Sequence, residues 1–271
     1  MMGPVLLVGC GKMGGAMLGG WLDRGMTAAS VTVVEPFEAN AAVVAELGVN
    51  VIADAAELDA DFVPAIVVFA VKPQQMAAVA PTYARFANEA VFISIAAGTS
   101  IAAFEGYLGS HAAIIRVMPN TPAAVRRGIS VGCPNTRVSD DQRAACHEML
   151  EAIGEVGWID DEGLMDAVTA TSGSGPAYVF LMIECLAQAA IDAGLPTELA
   201  GQLALATVSG AGELARLSDD DAAQLRKNVS SPGGTTVAAL EVLMAADGLQ
   251  PLMTRAVAAA TARSRELAKG G

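Results

Sequence analysis

The chain has 271 residues, of which 53% are hydrophobic and only 4% aromatic, and its formal net charge is −13. That balance argues against nucleic acid or an anionic membrane as a partner, so any anion must be recognised locally, by helix ends and a few cations. Four scattered cysteines with no C-x-x-C pair, and two histidines, leave no zinc site and suit a reducing cytoplasm.

The first predicted element is an apolar strand at residues 5–8. No secretory signal fits ahead of it. It leads into Gly9-Cys10-Gly11-Lys12-Met13-Gly14 and then directly into a helical pattern, Gly-Ala-Met-Leu-Gly-Gly-Trp-Leu. This order of elements is what a dinucleotide fingerprint requires. Gly9 permits the tight turn, Gly11 lets backbone approach a pyrophosphate, and Gly14 lets the helix pack against the strand. Cys10 serves there as a small residue in a tight turn. A second strand, 31–35, ends in Glu35, where an acidic residue would bind the adenosine ribose.

Beyond Glu35 the pattern alternates. Helices are predicted at 38–47, 74–86, 101–108 and 139–153, and strands at 49–52, 65–70, 90–95 and 112–117, with further strands at 130–133 and 155–159. Continuous apolar runs separated by helices predict a mostly parallel sheet covered on both faces. Ligands in such sheets bind at the carboxyl ends of the strands. The turns at 9–14, 70–73, 96–98 and 118–121 therefore become walls of one cleft. His111 precedes a strand and His147 lies within a helix, and both read as structural or surface residues. Arg126 and Arg127 read as exposed loop residues.

Composition changes near Asp160-Asp161-Glu162-Gly163. From there the patterning is helical throughout, at 163–171, 176–193, 196–216, 219–229, 235–246 and 249–268. The stretch 177–191 is apolar but too short for a membrane span, and it carries Glu184 and Gln188; it reads as a buried or interface helix. The turn Ser231-Pro232-Gly233-Gly234-Thr235-Thr236 opens the helix at 235. Hydroxyls beside the unpaired amides of a helix start make a cradle for a small anion such as a carboxylate.

These motifs together resemble the pyrroline-5-carboxylate reductases, which make L-proline in the last biosynthetic step. Five segments carry the likeness: 9–18, Ala-Val-Lys-Pro at 70–73, Arg-Val-Met-Pro-Asn-Thr-Pro-Ala at 116–123, Ser-Gly-Ser-Gly-Pro-Ala-Tyr-Val-Phe at 172–180, and Ser-Ser-Pro-Gly-Gly-Thr-Thr at 230–236. The last is very specific, whereas the first alone fits many dehydrogenases.

The resemblance implies a Rossmann-type dinucleotide-binding domain over 1–162 and an all-helical dimerisation and substrate domain over 163–271. It also implies an interlaced homodimer that can build into a ring of dimers, working in the cytoplasm on a small molecule. NAD(P)H is the implied cofactor, held by Gly9, Cys10, Gly11, Lys12, Met13, Gly14, Glu35, Ala70, Val71, Lys72, Pro73, Ala96, Ala97, Gly98 and Asn120. A carboxylate at Glu35 repels a 2′-phosphate and so favours NADH over NADPH. Asn228 qualifies this, because the corresponding family residue can approach the adenosine end.

The implied substrate site comprises Ser231, Gly233, Gly234, Thr235 and Thr236. Thr236 is the catalytic candidate, its hydroxyl meeting the imine nitrogen. A protonated iminium already accepts hydride well, so no strong acid is needed. Lys72 precedes Pro73 and reads as a cofactor-side residue. Hydroxyacid dehydrogenases of the 6-phosphogluconate type share the architecture but need a basic residue in the helical part. Residues 163–200 contain no Lys, Arg or His, which counts against them. A non-catalytic dinucleotide-binding protein could dispense with the hydroxyl cluster, which is present here.

Overall fold

The structure, a computed structural model, describes residues 3–269. Among these residues the chain forms two compact units, 3–173 with 260–269, and 174–259.

The first unit is built on an eight-stranded sheet in the order β3-β2-β1-β4-β5-β6-β7-β8. The strands are β1 (Val5–Val8), β2 (Val31–Val34), β3 (Asn50–Ile52), β4 (Ile66–Phe69), β5 (Val91–Ser94), β6 (Ala113–Met118), β7 (Gly128–Pro134) and β8 (Gly154–Trp158). The pairs from β3 to β6 are parallel, β7 runs antiparallel to β6, and β8 is parallel to β7. The reversal at β7 follows from its connection. Only residues 119–127, with the 3-10 turn Thr121–Val125 among them, separate β6 from β7, too little chain for a parallel crossover.

Every residue of β1, β2, β4 and β5 is buried, as expected of strands covered on both faces. One face packs Val5, Leu7 and Val68 against α1 (Lys12–Asp23) and α5 (Asp140–Glu151), through Met17, Leu18, Trp21, Met149 and Leu150. The Trp21 indole N–H donates to the Met149 carbonyl at 3.0 Å and joins the two helices. The other face packs Leu6, Val67 and Phe69 against Tyr83, Phe92 and Phe104, the last from α4 (Ile101–Leu108). Ser139 and Gln142 form a reciprocal capping box at the start of α5.

The helix read over 74–86 departs from the sequence pattern. Residues 74–86 are not a single α-helix but a 3-10 turn Pro73–Gln75, a one-turn α3 (Met76–Val79) and a 3-10 segment Ala80–Phe86. Pro81 supplies the reason: it has no N–H for the α-helical ladder.

Order along the sheet reverses direction at β1, with β2 on one side and β4 on the other. A parallel sheet opens a crevice at such a switch point, outside the carboxyl ends of its strands. Residues 9–14 and 70–73 meet there, the Ala70 N–H donating to the Val8 carbonyl at 2.8 Å.

The helical stretch after β8 begins with Glu162–Leu164 and α6 (Met165–Val168), then widens into a π-type turn, Thr169–Gly173. Within the first unit, Ser264 donates to Asp166 at 2.6 Å and ties α11 (Leu249–Lys269) to α6.

The second unit contains α7 (Gly175–Asp192), α8 (Thr197–Leu217), α9 (Ala222–Asn228), α10 (Thr235–Leu243) and α11 as far as residue 259. Gly194, at φ 99°, ends α7; its N–H donates to Ile191 and that of Leu195 to Ala190, closing the helix end. The continuous helical run Glu162–Asp192 is long and apolar enough, by length and composition, to cross a membrane. It exceeds the predicted 177–191 because residues 162–173, ahead of α7, are helical as well. Its apolar window is wholly unburied within the protomer.

Candidate functional site

The glycine turn is shaped by its neighbours. Gly9 sits at φ 85°, and a Cβ there would lie 2.7 Å from Val71 Cγ1. At Gly14 a Cβ would come within 2.6 Å of the Gly9 carbonyl oxygen, so α1 closes on the turn only because the residue is glycine. Gly11 differs, because a Cβ built on it meets nothing within 4 Å. Gly11 is also the N-cap of α1 and no side chain caps that end. The first-turn amides thus lack a side-chain partner and have room in front of them at the positive end of the helix dipole, which fits a pyrophosphate. Lys12 is exposed beside this end, and Met13 is partly buried against the core.

A cavity of about 470 Å³ lies against the turn. Of the residues predicted from sequence, Gly9, Gly11, Glu35, Ala70, Val71 and Lys72 line it. Cys10, Lys12, Met13, Gly14, Pro73, Ala96, Ala97, Gly98 and Asn120 do not. Gly14 and Cys10 are buried in the turn itself, and Pro73 opens the 3-10 turn after Lys72. Residues 96–98 follow β5, where the Ala96 N–H donates to Ser94 Oγ at 3.3 Å and Gly98 takes φ 80°. Asn120 has both ends of its amide engaged: Oδ1 accepts the Ile129 N–H at 2.9 Å, and Nδ2 donates to the Ser172 carbonyl at 3.2 Å. It therefore braces the end of β6 against the π-type turn.

Sequence reasoning missed Phe37, Asn40, Asp54, Gln75, Thr82 and Tyr83 on the cavity wall. Asp54 was within reach of the carboxyl-end rule, since it lies just beyond β3. Burial, and next the Asp54 charge, push the Tyr83 phenol well above the usual tyrosine range, against an opposing pull from Arg85. Among the described residues lining the cavity, Lys72 is the one cation.

Glu35 is 3% exposed. Its Oε2 accepts the Cys10 N–H at 2.8 Å and its Oε1 the Phe37 N–H at 3.1 Å. Burial first, and the Glu35 charge second, push the Cys10 thiol up to about 11. The thiol is thus neutral near pH 7 and adds no negative charge to the glycine turn.

Two further contacts frame the unit. Arg126 is not a simple surface residue. It takes a left-handed φ of 60°, and its guanidinium donates to the Ala16 carbonyl at 3.2 Å and to Asp23 at 2.7 Å, clamping the outer turns of α1. Its Nε is buried without a partner. Arg127 is exposed, as expected. Buried Arg116 pairs with Glu162 at 2.7 Å, and the same carboxylate oxygen accepts the Ile101 N–H at 2.9 Å, so the acidic boundary segment is anchored to β6 and α4.

In the second unit, Ser231, Gly233, Gly234, Thr235 and Thr236 form one turn. Gly233 adopts φ 72°, the Gly234 N–H donates to the Ser231 carbonyl at 3.0 Å, and a Cβ on Gly234 would strike Ser231 Oγ at 2.8 Å. Gly234 is the N-cap of α10, again without a side-chain cap. Asn228 makes local bonds, accepting from Gln224 at 2.7 Å and donating to Asp220 at 3.0 Å. Neither histidine joins these groups: His111 is exposed, and His147 Nδ1 accepts the Trp158 indole N–H at 3.1 Å.

Comparison with known proteins agrees with this layout. Residues 162–267 match the family model described as pyrroline-5-carboxylate reductase dimerisation, and residues 4–98 match that described as NADP oxidoreductase, coenzyme F420-dependent. The chain is 40% identical to a pyrroline-5-carboxylate reductase of Pseudomonas aeruginosa, over 98% of this chain and 97% of that one. It superimposes on a pyrroline-5-carboxylate reductase structure from Coxiella burnetii with a TM-score of 0.93 at 33% identity, covering 98% and 99% of the two chains. For the Plasmodium falciparum pyrroline carboxylate reductase with NADP bound, the TM-score is 0.80 at 31% identity, with 98% of each chain covered.

Proposed function

The chain belongs to the pyrroline-5-carboxylate reductase family, and from that membership we propose which of its residues hold the substrate and how its subunits associate. The protein is an NAD(P)H-dependent oxidoreductase that reduces 1-pyrroline-5-carboxylate to L-proline, the last step of proline biosynthesis. Bound NAD(P)H supplies the hydride that the C=N carbon takes up, while the ring nitrogen ends with a proton.

In this reading the substrate carboxylate sits on the turn 231–236. The observation that carries it is the uncapped start of α10. The amides of Thr235 and Thr236 lack a side-chain acceptor, the helix dipole favours an anion, and Ser231 Oγ stands beside Gly234. Ser231, Gly233, Gly234 and Thr235 bind, and the Thr236 hydroxyl contacts the imine nitrogen, orienting the iminium by accepting its N–H. Replacing Thr236 by Ala should lower kcat/KM for pyrroline-5-carboxylate by roughly 5- to 30-fold, the worth of about 1–2 kcal/mol, with cofactor affinity near wild type. Steady-state kinetics beside a nucleotide titration read both quantities, and unchanged turnover removes Thr236 from the mechanism.

The cofactor set of the first unit is the turn 9–14 with Glu35, residues 70–73, 96–98 and Asn120. NADH is favoured over NADPH: a fixed carboxylate lines the cavity, and Lys72 is the one cation among its described lining residues. A wild-type kcat/KM higher with NADPH than with NADH would reject the preference.

The division into 1–162 for the dinucleotide and 163–271 for dimerisation and substrate is supported by the dimerisation model, which begins at residue 162. The protein is a homo-oligomer through that part. Interlacing of the helices is supported by large apolar side chains left exposed on α7 and α8, and a ring of dimers is the assembly we propose beyond it. Four free cysteines suit work in the reducing cytoplasm.

A further inference from the structure

We infer that Glu35 is a positioning residue as well as a ribose acid: its carboxylate cross-links the turn that receives the pyrophosphate to the loop that opens α2 (Glu38–Ala45), and so sets the spacing of the two walls of the adenosine end of the cavity. This rests on reading the cavity as the dinucleotide's. A ribose acid needs one carboxylate oxygen turned toward the cavity. Here each oxygen is already engaged by a backbone amide, one on each loop, at 2.8 Å from Cys10 and 3.1 Å from Phe37. The residue is buried, and so is Cys10. A buried amide that loses its acceptor carries the full cost of desolvation, because water does not replace the bond. Each oxygen keeps a second lone pair for a hydroxyl, so the bracing bonds and a ribose contact are compatible.

The two roles make opposite predictions for one measurement. If Glu35 acted only through its charge, removing it would relieve repulsion of a 2′-phosphate, and NADPH would bind more tightly. If it acts as a cross-link, removing it frees the glycine turn from the α2 loop, and NADPH loses affinity along with NADH. Serine is too short to reach either amide in the same way. Glutamine keeps the length, but its NH₂ would face one of the two backbone N–H groups, donor against donor. Aspartate keeps the charge but falls one methylene short.

The test uses the full-length protein and its E35S, E35Q and E35D variants. Nucleotide-fluorescence titration gives Kd for NADH and for NADPH. Amide hydrogen exchange without nucleotide follows the segments holding Cys10 and Phe37. We expect Kd for both nucleotides to rise about tenfold or more in E35S and E35Q, on the scale of one lost charge-assisted bond, with partial recovery in E35D. Exchange should quicken at Cys10 and Phe37 while the central strands stay protected. If E35S does not fold, E35Q is read by the same criteria. A gain in NADPH affinity in either variant, with unchanged exchange at those two amides, overturns the cross-link. That result leaves the cavity's identity standing, since wild type would still bind nucleotide and reduce the imine. Wild type that bound neither nucleotide would overturn both.

Discussion

Cys10 shows how far one side chain is governed by its surroundings. A thiol in a glycine-rich phosphate turn is open to reagents by position, yet burial and the neighbouring Glu35 carboxylate move its pKa from 9.0 to about 11. An acid whose pKa is raised stays protonated over a wider range. At pH 8 we therefore expect Cys10 to resist iodoacetamide in the native protein, with labelling growing only as pH approaches 11; mass spectrometry of the tryptic peptide checks it. The same shift has a stability consequence. The unfolded thiol ionises near 9.0 and the folded one near 11, so its contribution to stability is complete below about pH 9 and is lost as pH rises through that window. Cys146, pushed up to about 12 by burial alone, acts in the same direction. None of this was legible in the sequence, where Cys10 read as a small residue of the cofactor turn. The Glu35 position could be placed from its offset after the first turn, but its two amide partners could not, because they depend on how two loops meet in space.

At the level of elements, the glycine turn separates two ways in which a glycine can be required. Gly14 is needed by the protein itself, since a methyl group there collides with the Gly9 carbonyl and with Ala70 Cβ at 3.2 Å. Gly11 has open space in front of it. Gly14→Ala should cost about 1–3 kcal/mol of stability. Gly11→Ala should leave the melting temperature near wild type and raise the NAD(P)H Kd, because the added methyl would occupy the room we propose for phosphate. Calorimetry and nucleotide titration on the two variants check the pair; equal melting temperatures would show that the Gly14 contact relaxes freely. Strand positions were readable from sequence to within about two residues because buried parallel strands are continuous apolar runs. The direction of β7 was not, since it depends on the short 3-10 connection after β6. Nor was the break in 74–86, where the apolar spacing stayed helical while Pro81 removed the hydrogen bond that spacing takes for granted. The turn at 231–236 and the start of α10 were legible almost completely, because a turn followed at once by a helix is local information.

For the whole molecule, the two units differ in what holds them. The first has a two-sided core in which Phe69 stacks on Phe92 and Phe104, with ring centroids 6.0 and 5.6 Å apart. In the second, among the described residues, Ala200 and Ala204 are the ones that reach full burial. Val179, Phe180, Leu181, Met182 and Leu186 of α7 stand exposed in the protomer, Phe180 by 58%. We propose that self-association covers this apolar surface. Phe180→Glu should shift the protein toward monomer in analytical ultracentrifugation and lower its helix content and thermal midpoint together. A monomer with full helicity would show that the second unit stands alone. The scarcity of burial in that unit bears on the protein's lifetime after synthesis. Helices that find their interior only in a second copy stay folded by mass action, so the melting temperature should rise with protein concentration. Mature subunits would then trade partners only by passing through a melted form. Two separately purified, differently tagged stocks should yield hybrids slowly when mixed and readily when the genes are co-expressed, so a defective copy does its damage while chains are being made.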